Sequence, residues 1–410
     1  MVKYIKYFLF APFLWTSVFL QAQELINKDE AIKIAITNNG KVRTEAKKVG
    51  YQNALVNTAY SFEPTQVTAE MGQFNSTYFD TGLGISQSFN LPQVYKKRAN
   101  AQRQQVKTAE AYLRMSEAEL RQQLEELFIE YLYLEAKERL LKNQDSLFSG
   151  FLQRSIIRWQ KGETDILEKT TAEQQKLHIS QQLVMLSKMK EFLQIQLEYL
   201  LNDNQKYIPE TKNPDIIKNL IFYDSLTVQK HPGVLAAEQE VQLTKAKTEA
   251  AKTDLLPRIN VGYRNVSIRG TGADNQVYQG GDRFSSFQVG VGIPLFRKGS
   301  RAAIQSSQMM EEIKVEEYED QKLYVDARIR QQYVLYAETM DQLMVYEQKA
   351  LPNSRTIRAV SENQFSNGQI NYLEYVMLMQ QSFMIESEYL ELTRNLNKYS
   401  INLKYLTGNH

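Results

Sequence analysis

Residues Leu256 to Phe296 carry the most informative pattern in the sequence. Its first part reads Leu256-Pro-Arg-Ile-Asn-Val-Gly-Tyr-Arg-Asn-Val-Ser-Ile268, and its last part reads Phe284-Ser-Ser-Phe-Gln-Val-Gly-Val-Gly-Ile-Pro-Leu-Phe296. In both parts apolar residues alternate with small or polar ones, which is typical of a β-strand with two different faces. Each part has about 10 residues, roughly the length of a tilted membrane-spanning strand. The pattern predicts a strand pair over about residues 257–296, joined by a long polar connection, although a soluble β-sandwich shows the same alternation.

The same pattern occurs earlier, between about residues 65 and 92. Val67, Ala69 and Met71 alternate with polar or small residues, and the alternation resumes at Leu83 after a turn. Pro92 ends this second run, because proline cannot donate a hydrogen bond to a sheet. The chain therefore carries four strands of one kind, in two pairs.

Composition excludes several function classes. The chain has 410 residues, of which 23% are charged, and its net charge is +2. Such a balance gives no basic surface for a nucleic acid, so no nucleic-acid partner is predicted. There is no cysteine, which excludes a disulfide, a thiolate nucleophile, a cysteine-ligated zinc site and a lipid-modified N-terminal cysteine.

Residues 1–23 are predicted to be a signal peptide. Lys3 and Lys6 form a basic start, an apolar run follows from Phe8 to Leu20, and small or polar residues complete the segment. The alternative is a retained membrane helix, which needs an apolar run of about 20 residues. Since no later stretch is more apolar than this one, the mature chain is expected to enter a membrane with its strands.

Long helices flank both strand pairs. Residues 93–160 are rich in Gln, Glu, Ala, Leu, Lys and Arg, and they contain no proline and one glycine. A helix of this length would extend about 100 Å. Between residues 120 and 134 apolar side chains recur every three or four positions, which predicts side-by-side packing on another long helix. Gly162 ends the run, and a return helix is predicted over about residues 166–200.

The chain is duplicated internally. Trp159–Gly162 matches Phe365–Gly368, and Leu197–Asn202 matches Leu403–Gly408, both at an offset of 206 positions. The predicted organisation is a first repeat over 24–205 with its helical-hairpin tip near 162, a linker over 206–225, and a second repeat over 226–410 with a long helix from about 300 to 364 and a tip near 368.

Four strands are too few to close a barrel, and lipid tolerates no open sheet edge. Several chains must therefore share one barrel. Two copies would supply eight strands, the number in the smallest transmembrane barrels, and three copies would supply twelve, which is wide enough for a lumen. The small and polar face of each strand suits a water-filled interior.

Four short motifs carry a family resemblance. They are Asp29-Glu30-Ala31-Ile32 followed by Asn38-Asn39, Leu255-Leu256-Pro257 before a strand, Gly292-Ile293-Pro294-Leu295-Phe296 after one, and the two aromatic-x-x-Gly turns. In their order and duplication they resemble a TolC-type outer-membrane efflux factor over essentially the whole mature chain. The resemblance implies an α+β membrane protein in which a homotrimer forms a 12-stranded β-barrel, continued by a long periplasmic α-helical barrel.

The resemblance also implies a location and a function. The protein is expected in the outer membrane of a Gram-negative bacterium, in contact with outer-membrane lipid. There it would act as a passive exit duct for drugs, metal cations or other small molecules. Its expected partners are a periplasmic adaptor (membrane fusion) protein and an inner-membrane transporter of the RND or ABC type. The adaptor would meet the hairpin tips, at Trp159, Gly162, Phe365 and Gly368.

Two acidic residues follow the tip glycines. Asp165 and Glu374 lie within the first turns of the predicted return helices. In a trimer they would place six carboxylates around one mouth, where such a ring attracts cations and repels anions. The alternative is that each carboxylate offsets the positive end of its own helix dipole. This interaction stabilises a helix by about 0.3–1 kcal/mol.

The histidines and methionines give weaker evidence for a functional site. His178, His231 and His410 are far apart in sequence, and Met377, Met379 and Met384 are typical of helix packing rather than of a soft-metal relay. No metal site, no cofactor and no catalytic constellation are predicted, so the chain is interpreted as a non-enzyme. The competing hypothesis is a structural or adhesive surface protein with a coiled-coil stalk. The strand pairs discriminate between the two hypotheses, because a stalk does not need lipid-facing strands.

Overall fold

The computed structural model describes residues 24–210 and 225–408. The predicted signal peptide and most of the predicted linker lie outside these residues. The helices, in chain order, are α1 (Lys28–Asn38), α2 (Gly40–Leu55), α3 (Pro92–Gln160), α4 (Ile166–Leu201), α5 (Pro232–Lys252), α6 (Lys298–Val345), α7 (Leu351–Ser366) and α8 (Tyr372–Leu406). The strands are β1 (Glu24–Ile26), β2 (Gln66–Gly72), β3 (Asp80–Asn90), β4 (Tyr207–Pro209), β5 (Arg258–Ser267), β6 (Gly270–Thr271), β7 (Val277–Tyr278) and β8 (Arg283–Gly292).

The two predicted strand pairs form one antiparallel sheet. Its order is β2-β3-β5-β8, so β3 and β5 join the first pair to the second. Their register sets Phe89 opposite Ile259 and Gly82 opposite Val266. Within the described residues, neither β2 nor β8 pairs with a further strand on its outer side. The sheet therefore ends in two open edges.

One face of this sheet is apolar and bare. Phe287 is 83% exposed, Val289 77% and Val67 74%. A β-sandwich would bury such side chains against a second sheet at about 10 Å. The other two sheets of the described chain are two-stranded ribbons, β1-β4 and β6-β7, and leave this face uncovered. The sandwich alternative therefore fails, because no part of the chain that the structure describes covers the apolar face.

The long helices lie side by side in a fixed order. α3 has 69 residues, which corresponds to a length of roughly 104 Å. It packs against α4 on one side and against α8 on the other, and α8 also packs against α6 and α7. The row is therefore α4, α3, α8 and then α6 with α7. Its two ends are α4 and the α6–α7 helix.

The apolar stripe predicted on α3 forms the centre of this row. Leu124 is fully buried, Leu127 and Leu134 are nearly so, and all three belong to one cluster with residues of α4 and α8. Spacing of three and four residues places these side chains on one side of the helix. The prediction that α3 packs on another long helix is confirmed.

The second long helix differs from the prediction of an uninterrupted run from 300 to 364. A π-helical turn over Tyr346–Ala350 separates α6 from α7, and Pro352 follows within the first turn of α7. Proline has no N–H for the bond to the residue four positions back, and its ring crowds that carbonyl. The wider turn accommodates the proline without ending the helix.

The stretch read as a linker contains a strand that the sequence pattern missed. β4 pairs in parallel with β1, with Glu24 opposite Tyr207 and Ile26 opposite Pro209. A strand of three residues is too short to show the alternation of apolar and polar side chains from which strands are predicted. This ribbon ties the start of the described chain to the end of α4.

Gly408, just after the end of α8, lies against the backbone of Lys230. Its φ is +68°, and a Cβ at this position would lie 2.4 Å from the carbonyl oxygen of Lys230. We expect Gly408→Ala to lower the thermal midpoint, because it adds a backbone clash to the roughly 1–2 kcal/mol of left-handed strain. The control is Gly299→Ala, which meets nothing within 4 Å and should be neutral or slightly stabilising in a helix. Equal midpoints, measured by circular dichroism, would contradict the predicted contact.

Candidate functional site

The two helical hairpins end in the same turn. Gly162 has φ +72° and Gly368 has φ +70°. Gly162 N–H donates to Trp159 O at 3.0 Å and Glu163 N–H donates to Arg158 O at 2.9 Å. The second tip repeats this pair of bonds, which is the Schellman ending of a helix. Because a Cβ would meet no atom within 4 Å at either position, the positive φ rather than a lack of space accounts for glycine there.

An aromatic cluster joins the two tips. Phe365 stacks on Tyr375 with ring centroids 4.6 Å apart. The ring of Phe151, from the first hairpin, packs edge-on against Phe365 at 5.8 Å and against Tyr375 at 4.9 Å. Tyr372 packs against Phe151 as well, at 5.8 Å. Aromatic pairs in this geometry stabilise a contact by about 0.5–1.5 kcal/mol beyond burial. The cluster thus holds α3 to α7 and α8 at the end of the molecule.

The predicted tip residues divide into two kinds. The ring of Phe365 is half-buried in the aromatic cluster, so it positions the second tip from inside. Trp159, at the matching place in the first tip, is 40% exposed. The ammonium group of Lys169 lies over its ring at 4.5 Å, within the range of a cation–π contact. Of the two aromatic residues, only Trp159 presents much of its ring to solvent.

The two predicted acidic residues both cap helices. Asp165 is the N-cap of α4, where its carboxylate accepts from Leu167 N–H at 3.4 Å. Glu374 forms a capping box with Asn371 in α8: its carboxylate accepts from Asn371 N–H at 2.9 Å, and Asn371 Oδ1 accepts from Glu374 N–H at 2.9 Å. Both side chains are also exposed at the tip. A capping role therefore coexists with an exposed position at the tip.

Glu168 is the tip residue that sequence reasoning missed. At the offset of 206 positions Glu374 corresponds to Glu168, while Asp165 corresponds to Asn371. Glu168 is 9% exposed, and its carboxylate accepts from Arg158 at 2.9 Å and from the hydroxyl of Thr164. Burial, together with the charge of Glu168, raises the pKa of Tyr372 to about 12. The register of the repeat was a signal that would have identified this residue.

The histidines and methionines are dispersed. His231 caps α5, its Nδ1 accepting from Gly233 N–H at 3.1 Å, and His410 lies outside the described residues. Met379 is buried, while Met377 and Met384 are exposed. In the described part of the chain no group of three or more histidine, cysteine or carboxylate side chains is placed to hold a metal ion. No helix there is long and apolar enough to cross a membrane.

The sheet, the helical row and the paired tips agree with a family assignment. Residues 225–409 match the family model described as outer membrane efflux protein. The second repeat is similar to this family over nearly its whole length. The description places this family in the outer membrane, as channels rather than enzymes. The resemblance stated from the sequence motifs is confirmed.

Solved structures show the same fold over nearly the whole chain. A crystal structure of CusC, from work on its folding and transmembrane channel formation, has a TM-score of 0.77 at 16% identity and covers 96% of each chain. The Campylobacter jejuni CmeC outer membrane channel has 0.73 at 13% identity, covering 93% of this chain and 85% of that one. The open-state Neisseria gonorrhoeae MtrE channel has 0.73 at 14% identity, with 93% and 89% covered. No curated protein sequence matches significantly. The predicted fold class is confirmed.

The tip glycines are predicted to be needed for their backbone conformation. Gly162→Ala should destabilise the protein by roughly 1–2 kcal/mol, since an L-residue is strained in the left-handed region. Gly150→Ala, in the helix twelve residues before and with nothing within 4 Å, is the matched control and should stabilise by up to about 1 kcal/mol. Thermal unfolding of both variants tests the contrast. Two variants with the same midpoint would refute the conformational requirement.

Proposed function

We propose that this protein is the outer-membrane exit duct of a tripartite efflux or secretion system, and that it works as a homotrimer. The observation that carries the proposal is the open sheet: one face is apolar and bare, and both edge strands lack a neighbour within the described chain. Lipid would cover the apolar face. Copies of the same chain would complete the edges.

Strand directions support closure by further copies. All three pairings in β2-β3-β5-β8 are antiparallel, so β2 and β8 run in opposite directions. The β8 edge of one copy therefore meets the β2 edge of the next as another antiparallel pair. Three copies give twelve strands and a water-filled lumen, lined by the small and polar face of the sheet.

The helical row supports the same arrangement. Its end helices, α4 and α6, carry large apolar side chains that point away from the rest of the chain. On α4 these are Val184, Met185, Phe192, Ile195 and Tyr199, and on α6 they are Leu323, Tyr324, Val334 and Val345, all more than half exposed. An unpartnered apolar stripe on each end of a row requires a partner. We infer that α4 of one copy packs against α6 of the next, which closes a helical barrel below the strand barrel.

The tips are proposed to meet the other members of the system. A periplasmic adaptor would bind the turns at Gly162 and Gly368 and the exposed ring of Trp159, while Phe365 keeps the second turn in place. An inner-membrane transporter of the RND or ABC type would supply drugs, metal cations or other small molecules. The duct takes its cargo from this transporter, so the chemistry of the pump sets the substrate.

The alternative of an adhesive stalk explains less. A coiled-coil stalk would use the long helices, but it leaves the bare face with Phe287 and Val289 without a purpose. It also leaves unexplained why the opposite face of the same strands carries glycine, serine and asparagine. Both features follow directly from a lipid-facing barrel with a wet interior.

Planar lipid bilayers test the conduit and its inner mouth together. The wild-type protein should produce discrete conductance steps, and their absence from trimers that insert into lipid would contradict the conduit. We propose that Asp165 and Glu374 line the mouth, so the double variant D165N/E374Q should conduct better and prefer cations less, because six carboxylates are removed from one constriction.

The matched control for the mouth is Glu30→Gln. Glu30 accepts from the side chain of Asn27 at 3.4 Å and donates its own N–H to it at 2.9 Å, so it forms a comparable cap at the start of α1, far from the tips. This variant should keep wild-type selectivity and lose only a little stability, about 0.3–1 kcal/mol. If D165N/E374Q behaves in the same way, the two tip carboxylates serve their helices alone.

A further inference from the structure

The polar face of the sheet carries an ordered cluster near the end far from the helices. β2 and β5 both start beside helices and run outward to the loops after Gly72 and Ser267. Arg264 lies six residues from the start of β5, or roughly 20 Å along the strand. In the proposed barrel this position is on the lumen side, close to the outer exit. The inference below rests on that proposed function.

Arg264 and Glu70 form an ion pair across this face. The guanidinium of Arg264, on β5, donates to the carboxylate of Glu70, on β2, and the pair reaches across the intervening strand β3. Their side chains are 35% and 47% exposed, so water reaches both. The ring of Phe74, from the loop after β2, lies 5.8 Å from the same guanidinium, within cation–π range.

Glycines on β3 make room for the cluster. A Cβ on Gly84 would lie 2.6 Å from Thr68 Oγ1, and one on Gly82 would lie 3.4 Å from the ring of Phe74 and 3.5 Å from Glu70 Cβ. Side chains at these two positions would push the ion pair and the ring further inward. The cluster is therefore seated on the bare backbone of β3 rather than projecting freely.

Aromatic and apolar side chains share the level of the ion pair. The register sets Glu70, Gly82, Val266 and Phe284 in one row across the four strands. The ring of Phe284 packs edge-on against Tyr278 at 5.2 Å. In three copies this level would present three rings of Phe74, three of Phe284 and three Arg264–Glu70 pairs. It is the bulkiest row on a face that elsewhere carries mostly glycine, serine, asparagine and glutamine.

Two other charged residues lie on this face. Arg258, at the helix end of β5, pairs with Glu63 at 2.6 Å. Asp80 is fully buried under the outer loops, where it accepts from Ser76, Ser267 and the backbone N–H of Arg269. No other charged residue lies on the polar face of the four described strands. The exposed charges of the lumen wall are therefore paired, whereas the fully buried Asp80 is held by hydrogen bonds rather than by a cation.

We propose that Glu70, Phe74, Arg264 and Phe284 form an exit ring at the outer end of the barrel, and that the Arg264–Glu70 pair makes this ring indifferent to the sign of a permeating organic ion. Each carboxylate cancels one guanidinium, so removal of one partner leaves three like charges around this level of the barrel. Three like charges between the low-dielectric walls of a narrow, water-filled lumen focus the field and change the local ion concentration by about tenfold or more.

The absence of native cysteine permits a local test in intact cells. Asn260→Cys places one thiol on the lumen face, four residues further from the exit than Arg264. Ala273→Cys places a reference thiol in the exposed outer loop. Each thiol is reacted from outside with an anionic and with a cationic methanethiosulfonate reagent, and the ratio of the two rates is measured. The ratio at residue 260 relative to residue 273 reports the charge preference of the ring and is independent of the inner mouth.

With the native ring the two ratios should agree. Adding Glu70→Gln should raise the relative rate of the anionic reagent at residue 260 by about tenfold, and adding Arg264→Gln should raise that of the cationic reagent by about as much. The double variant E70Q/R264Q should return the ratio to the native value. Trimer yield is checked for each variant; if one single variant assembles poorly, the other single variant, which leaves the opposite charge, decides the test.

The outcomes separate the ring from the conduit. Labelling at residue 260 with ratios that neither single variant changes would overturn the ring while leaving the lumen intact. No labelling at residue 260, with normal labelling at residue 273, would contradict the lumen and thus the proposed function. A thiol at Val289, on the apolar face, should stay unreactive to both reagents; fast labelling there would reverse the assignment of the two faces and overturn the ring as well.

Discussion

An open sheet edge cannot face lipid, and the architecture depends on this constraint. Each unpaired N–H or carbonyl group in a hydrocarbon core loses several kcal/mol relative to a paired one. The chain has one four-stranded sheet with an apolar face, and the edge strands β2 and β8 are unpaired in the described chain. Only pairing with further copies satisfies both edges at once. The bare apolar stripes on α4 and α6 impose the same demand on the helices, at the same two sides of the chain.

Most of the fold was readable because its signals are long and periodic. The strands alternate over about ten residues, α3 repeats its apolar stripe over several turns, and the duplication preserves the tip turns at a constant offset. The missed features are short or non-local. The ribbon of β1 with β4 has three residues in each strand. The π-helical turn before Pro352 is a local adjustment of the backbone to a single proline. Neither feature produces a periodic pattern of apolar residues in the sequence.

The candidate sites show a similar division. Positive φ at Gly162 and Gly368 followed from turn chemistry, since glycine after the last helical residue favours the left-handed conformation. The aromatic cluster around Phe151 did not, because its members come from three helices that the sequence alone does not bring together. Glu168 was overlooked because Asp165 lies nearer to the glycine. The register of the repeat, rather than distance from the turn, identifies the true counterpart of Glu374. The ion pair of Arg264 with Glu70 likewise needed the strand register before the two residues became neighbours.

If several copies of this chain share one barrel, the mass of the purified protein in a defined detergent gives their number. Light scattering or native mass spectrometry, corrected for bound detergent, should find three chains per particle. The same sample should keep its strand content by circular dichroism. A stable monomer with full strand content would show that the sheet edges are satisfied without neighbouring copies, and it would contradict a barrel shared between chains.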